Sequence, residues 1–121
     1  MLLTIITATY NCNNELIKTI TSFEKQNYRK DVQWIIIDGN STDGTKLTVK
    51  KAFDAGLVTN WISESDNGVY SAWNKALPLI SGDWVQFIGA GDIYPNENTI
   101  QIIKEILINL HCDDFIIYGK D

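Results

Sequence analysis

VQWIIIDGNSTDGT, residues 32–45, runs from an apolar segment directly into small, acidic and amide side chains. Trp34 to Ile37 form four consecutive apolar positions, the pattern of a strand covered on both faces, as in a parallel sheet. Asp38 then stands at the carboxyl end of that strand. Three other stretches repeat the transition: TATYN at 7–11, ESDNG at 64–68 and GAGD at 89–92. In an open parallel sheet the ligand sits outside the carboxyl ends of the strands, near the point where strand order reverses. One edge of the fold is therefore expected to carry the chemistry.

Outward from this segment the chain alternates. Leu2 to Ala8 suits a buried strand, and Asn13 or Asn14 is placed to cap a helix through Gln26, with Leu16, Ile17, Ile20 and Phe23 on one face. After the Val32 to Ile37 strand, Ser41 or Thr42 opens a helix with Leu47, Val49 and Phe53 partly buried, and Gly56 closes it. Val58 to Ile62 reads as a third strand, Gly68 to Leu79 as a helix, and Trp84 to Ile88 as a fourth strand entered through Ser81-Gly82-Asp83. Pro95 starts a helix to Leu110 with Ile100, Ile103, Ile106, Leu107 and Leu110 as its apolar stripe, and Phe115 to Tyr118 reads as a fifth strand. Alternating strands and helices predict an α/β fold, Rossmann-like, with a mostly parallel sheet and helices on both faces.

Composition narrows the function. The 121 residues form one domain's worth of chain, and 45% hydrophobic with 21% charged residues is ordinary for a globular protein. A net charge of −5 with scattered Lys and Arg lacks the basic stripe of nucleic-acid binding, so no nucleic acid is expected as a partner. Cys12 and Cys112 form neither a metal-spaced pair nor a disulfide framework, which suits a reducing cytoplasm. No apolar run approaches the roughly 20 residues of a membrane helix, and no leader pattern precedes Leu2, so no membrane span is expected.

The Asp38 carboxylate can accept a hydrogen bond from a nucleobase N–H or a ribose hydroxyl, and its place at a strand end favours ligand contact over a plain turn with Gly39. Ser41 and Asp43 read as helix caps. Thr9 and Asn11 offer short polar groups and Tyr10 an aromatic face for a planar base, with capping by Asn11 and edge packing by Tyr10 as the competing roles. Asp66-Asn67-Gly68 has strong turn chemistry, and Asn74 and Lys75 follow inside the next helix, Lys75 reading as a solvated lysine. In GAGD, glycine backbone can approach a bulky anion and Asp92 can either hold a divalent cation or close the turn.

The order TATYN, IIIDGNSTDGT, ISESDNGVYSAWNKA, GDWVQFIGAGDIYP resembles the nucleotide-diphospho-sugar-binding half of the family 2 glycosyltransferases, which adopt the GT-A fold. The resemblance covers about residues 3 to 118. It implies that Thr9, Tyr10 and Asn11 lie beside the nucleoside, that Asp38 hydrogen-bonds the base, and that Asp66, Asn67, Gly68, Asn74 and Gly91 flank the nucleotide. It further implies Mg²⁺ or Mn²⁺ at the fourth strand end. Here the chain departs from the family, because Gly89 and Gly91 stand where acids usually do and Asp92 is the one carboxylate of the motif.

The implied reaction is transfer of a sugar from a nucleoside diphosphate donor to the hydroxyl of a carbohydrate or lipid-linked acceptor, with inversion, in cell-surface polysaccharide biosynthesis. Residues 1–121 are then a single donor-binding domain of a longer enzyme, cytoplasmic and peripheral to the inner face of the membrane. No catalytic base is assigned: Asp113, Asp114 and Asp121 are acids near the end with nothing to choose between them. A non-catalytic nucleotide-sugar-binding module is the alternative. A phosphoacceptor signalling domain fits less well, since Thr9-Tyr10-Asn11 replaces its paired acids.

Overall fold

The structure is a computed structural model, and it describes residues 3–65 and 69–109. Four strands, β1 (Leu3–Thr9), β2 (Val32–Asp38), β3 (Asn60–Ser63) and β4 (Trp84–Phe87), alternate with four helices, α1 (Asn13–Glu24), α2 (Thr45–Asp54), α3 (Val69–Ala76) and α4 (Thr99–Ile108). Every strand pair is parallel and the order is β3-β2-β1-β4. The α/β class and parallel sheet expected from the sequence are present. The chain steps from β1 to β2 to β3 in one direction and then places β4 on the other side of β1, so strand order reverses between β1 and β4. That crevice is where an open sheet of this type receives its ligand.

Period-two alternation divides the sheet between two cores. Leu3, Ile5, Trp34 and Ile36 face α1, α2 and α4 through Leu16, Phe23, Val49, Ala52, Ile100 and Leu107. Ile6, Ile35 and Ile37 face the other way, onto Ala72 and Ala76 of α3. Ile35, Ile36 and Ile37 are completely buried, each worth about 1.5–3 kcal/mol of hydrophobic stabilisation. Trp34 packs on Phe23 with ring centroids 4.8 Å apart, and its indole N–H donates to the Thr7 hydroxyl at 2.9 Å, which satisfies a polar atom inside the core.

At the opposite end of the sheet, Thr4 and Gln33 are buried yet fully used. The Thr4 hydroxyl donates to Gln33 Oε1 at 2.7 Å and accepts the Gly82 N–H at 2.8 Å, while Gln33 Oε1 accepts the Ser81 N–H at 2.8 Å. These bonds seat the turn that feeds β4. A Cβ at Gly82 would lie 2.6 Å from the Thr4 backbone nitrogen, so only glycine allows this approach.

Several element boundaries differ from the sequence expectation. Helix α2 begins at Thr45 rather than Ser41 or Thr42, because Asp43 Oδ1 accepts the Thr45 N–H at 2.9 Å and holds the preceding residues in a turn. Val58 is core but not strand: Leu57 and Val58 N–H both bond the Ala52 carbonyl, finishing α2 around Gly56 at φ +83 before β3 starts at Asn60. Pro95 does not start α4. The Asn98 N–H bonds Asn96 Oδ1 at 2.9 Å, a turn that delays the helix to Thr99.

Asn13 and Asn14 lie inside α1, whose N-cap is Cys12 without a side-chain cap, and α1 ends at Glu24. The expected Gly68 to Leu79 helix is α3 followed by a 3-10 turn at Leu77–Leu79, where Pro78 removes a backbone donor. Leu47, Phe53 and Ile106 are exposed, since α2 and α4 each bury one narrow stripe, Thr45, Val49 and Ala52 on the first, Ile100 and Leu107 on the second. Leu110 and the expected strand Phe115 to Tyr118 lie outside the described residues.

Candidate functional site

The carboxyl ends of the strands bring Thr9 and Asp38 together. They are register partners on adjacent strands, and their side chains point to the same face. Asp38 is fully buried, and its two oxygens accept four hydrogen bonds: Oδ1 from the Thr9 hydroxyl at 2.7 Å and the Ser41 hydroxyl at 2.6 Å, Oδ2 from the Ser41 N–H at 2.8 Å and the Ser63 hydroxyl at 2.8 Å. Burial opposes the charge, but the Ser41 hydroxyl and N–H with the Thr9 and Ser63 hydroxyls outweigh it, so the carboxyl is held below its ordinary value. One carboxylate thus ties together the ends of β1, β2 and β3. With four donors on its lone pairs, a nucleobase N–H reaches it only by displacing one of the hydroxyls.

Asn11 performs a similar task between two loops. It adopts a left-handed φ of 45, a conformation asparagine tolerates, and its N–H donates to Ser41 Oγ at 2.9 Å. Its Oδ1 accepts the Thr42 N–H at 2.7 Å and the Asp43 N–H at 3.3 Å. Asn13 N–H in turn donates to Asp43 Oδ2 at 3.2 Å. The loops after β1 and β2 are therefore one unit, from which Tyr10 projects with 64% of its surface exposed. Neither Ser41 nor Asp43 is the N-cap of α2, which is Gly44: Ser41 serves Asp38, and Asp43 joins the Asn13 and Thr45 N–H groups. The Thr45 hydroxyl and N–H hold its carboxyl below the ordinary value.

Beyond β3, Lys75 Nζ lies 3.2 Å from Glu64 Oε1 and donates to the Ser65 carbonyl at 3.0 Å. It braces this loop rather than standing solvated as expected. Asn74 is exposed on α3. Asp66, Asn67 and Gly68 lie outside the described residues.

At the end of β4, Asp92 Oδ2 accepts the Gly89 N–H at 2.8 Å and the Asp92 N–H returns to the Gly89 carbonyl at 3.1 Å, closing a tight turn. Gly91 inside it has φ +99, a backbone conformation open to glycine. Among the described residues no group of three His, Cys, Asp or Glu side chains forms a metal cage. A single half-buried carboxylate with one oxygen engaged still fits Mg²⁺ or Mn²⁺ of the kind that keeps waters and takes its remaining oxygens from a substrate diphosphate. Burial pushes the pKa of the Cys12 thiol, at the start of α1, above its ordinary value. No helix among the described residues is long and apolar enough to cross a membrane.

Sequence reasoning passed over Ser63 and three polar residues that reach the segment after β4, Thr19 and Ser22 of α1 and Gln26 just past its end. Their spacing of three and four was the available signal.

A parallel sheet whose strand order reverses beside β1, with polar loops gathered at the carboxyl edge, defines an open doubly wound α/β fold. The chain belongs to the Glycosyl transferase family 2, whose model matches residues 4–117. Among its relatives, the PGL/p-HBAD biosynthesis glycosyltransferase of Mycobacterium bovis (strain BCG / Pasteur 1173P2) is 32% identical over 91 residues, 74% of this chain and 35% of that protein. S. aureus TarS 1-349 in complex with UDP-GlcNAc has the same fold, with a TM-score of 0.79 at 23% identity over 89% of this chain and 31% of that one. The mannosyltransferase PcManGT from Pyrobaculum calidifontis, in complex with GDP-Man and Mn²⁺, aligns with a TM-score of 0.70 at 26% identity over 78% of this chain and 29% of that one. The chain spans 35–38% of the length of the curated relatives it matches.

Proposed function

We infer that this chain is the donor-binding part of a glycosyltransferase that moves a sugar from a nucleoside diphosphate to an acceptor hydroxyl, with inversion at the anomeric carbon. The observation that carries this reading is the convergence of Thr9, Asn11, Asp38 and the Asp92 turn on one edge of a parallel sheet in a family 2 chain. Two of the similar structures hold UDP-GlcNAc and GDP-Man.

In this arrangement the exposed ring of Tyr10 offers a face for the base. Thr9 and Asn11 border it, and Asp38 sits beneath, either receiving a base N–H in exchange for a hydroxyl or holding Thr9, Ser41 and Ser63 in place. The Asp92 turn faces the diphosphate, with Gly91 allowing the backbone to come close and Asn74 exposed on α3. Asp92 would hold Mg²⁺ or Mn²⁺. When bound, such an ion offsets the charge that develops on the departing diphosphate. The acceptor is a carbohydrate or a lipid-linked sugar, and the process is cell-surface glycan assembly at the cytoplasmic side of a membrane.

Isothermal titration with UDP, GDP and dTDP sugars, with and without Mn²⁺, paired with a donor hydrolysis assay, tests this. Binding of one nucleotide class with slow donor hydrolysis is expected. Binding without any turnover favours a donor-binding module, and no binding of any of the three removes the proposal.

A further inference from the structure

The turn that carries Asp92 is not held by the sheet. β4 pairs with β1 from Trp84 to Phe87, and the last bond of that ladder is from the Ile88 N–H to the Ile6 carbonyl at 3.0 Å. From there the backbone leaves the strand, and polar groups of α1 and of the residues just past its end hold it. Thr19 Oγ1 accepts the Gly91 N–H at 2.8 Å. Ser22 Oγ accepts the Tyr94 N–H at 3.2 Å. Gln26 donates through Nε2 to the Asn96 carbonyl at 2.6 Å and accepts the Ile100 N–H through Oε1 at 2.9 Å. The Asn27 N–H adds a bond to the Glu97 carbonyl at 2.8 Å. Thr19 and Ser22 share one face of α1, and Gln26 continues it two residues past the helix end.

This face is buried, not a solvated surface. Thr19 is 1% exposed, in a helix whose other buried positions, Leu16 and Phe23, are apolar, and Gln26, just past the helix end, is 5% exposed. A buried hydroxyl in a helix interior costs stability unless it is bonded, and this one is bonded to the residue before Asp92. The contact is close: a Cβ at Gly91 would stand 3.5 Å from Glu15 Cβ, in van der Waals touch with α1. Tyr94 completes the fixture, its ring buried and its hydroxyl donating to Gln86 Oε1 of β4 at 3.2 Å.

We propose that Thr19 is a positioning residue for the diphosphate: through the Gly91 N–H it sets where the Gly89–Asp92 turn stands relative to the end of β1. This rests on the donor-binding reading above and names the residue on which its diphosphate end depends. Tyr10, on the other loop, is independent of it. Loss of the Thr19 bond should therefore weaken recognition of the β-phosphate and spare the nucleoside.

The test is isothermal titration of wild type, Thr19→Val and Thr19→Ser with UDP and UMP in Mn²⁺, or with the guanosine or thymidine pair where that is the one bound. Hydrogen exchange at the Gly91 amide is followed by NMR. Thr19→Val is expected to lower the ratio of diphosphate to monophosphate affinity by about threefold to tenfold, the scale of one hydrogen bond, with monophosphate affinity unchanged. Its Gly91 amide should exchange faster, and Thr19→Ser should restore both. Should Thr19→Val unfold, Ser22→Ala, which frees the neighbouring Tyr94 N–H, is expected to move the ratio in the same direction. An unchanged ratio despite faster Gly91 exchange overturns the proposal, as does an equal loss for UDP and UMP that Thr19→Ser does not repair. Wild type that binds no nucleotide in either form would sink the donor-binding reading itself, and this inference with it.

Discussion

The Thr9 hydroxyl donates to the Asp38 carboxylate at 2.7 Å across two neighbouring parallel strands, although 29 residues separate them in the chain. Ser41 and Ser63 complete the shell around the same carboxylate. A buried charge survives because hydrogen bonds replace the water it lost, and removal of either side leaves polar atoms stranded.

Replacing Asp38 by Ala strands three hydroxyls and one N–H at the junction of three strands. The expected loss of stability is about 2–3 kcal/mol, the scale of hydrogen bonds to a charged group, and urea unfolding measures it. Nucleotide affinity should fall as well, since Thr9 and the Asn11 loop lose their support. A stable variant with full affinity would remove Asp38 from both roles.

The same shell fixes a pH dependence. Asp38 has a lowered pKa in the folded state, so the unfolded chain binds its proton more readily. Its contribution is then complete above the ordinary carboxyl pKa of about 3.9 and is lost as the pH falls through the lower folded-state value. Asp38→Asn should flatten the acid limb of a stability-versus-pH curve below about pH 4 relative to wild type. Identical acid limbs would show that the carboxylate is not the group responsible.

Asp92→Asn retains an oxygen for the Gly89 N–H and so should fold with an unchanged Tm. It removes the negative charge, and any enhancement of nucleoside diphosphate binding by Mn²⁺ should disappear in titration calorimetry. Metal enhancement that persists would place the ion on other groups.

Tyr10 has 64% of its surface exposed, so Tyr10→Ala should leave thermal unfolding unchanged. Its effect is expected on nucleotide affinity, by about 0.5–1.5 kcal/mol, the range for an aromatic stacking contact. Equal affinities for the two proteins would leave the base unstacked on this ring.

Gly82→Ala forces a methyl to within 2.6 Å of the Thr4 backbone. The β1–β4 junction must then open, at a cost of about 1–3 kcal/mol in chemical denaturation, as for other overpacked sites. Unchanged stability would mean that the turn before β4 relocates without strain.

Strand positions were the most legible part of the chain because they rest on local chemistry. Trp34 to Ile37 are apolar without interruption, and a segment of that kind is stable only when both faces are covered. Helix starts were less legible. Ser41, Asp43 and Pro95 all carry start signals, yet α2 and α4 begin four, two and four residues later respectively, because those side chains and their neighbours serve turns and distant loops. Exposure of Leu47, Phe53 and Ile106 was likewise hidden, since the width of a buried helical stripe depends on what packs against it.

By itself the sequence determined the alternation of strands and helices, the placing of four polar loops at strand ends, and the family, since each is written in runs of adjacent residues. Which polar groups meet was decided only by tertiary structure. Asp38 with Thr9 and Ser63, Asn11 with Thr42, and Thr19 with Gly91 are partners 25 to 72 residues apart. Their pairing follows from strand order, register and the packing of α1 against the sheet, and no local pattern of residues encodes a hydrogen bond between chain segments that first become neighbours on folding.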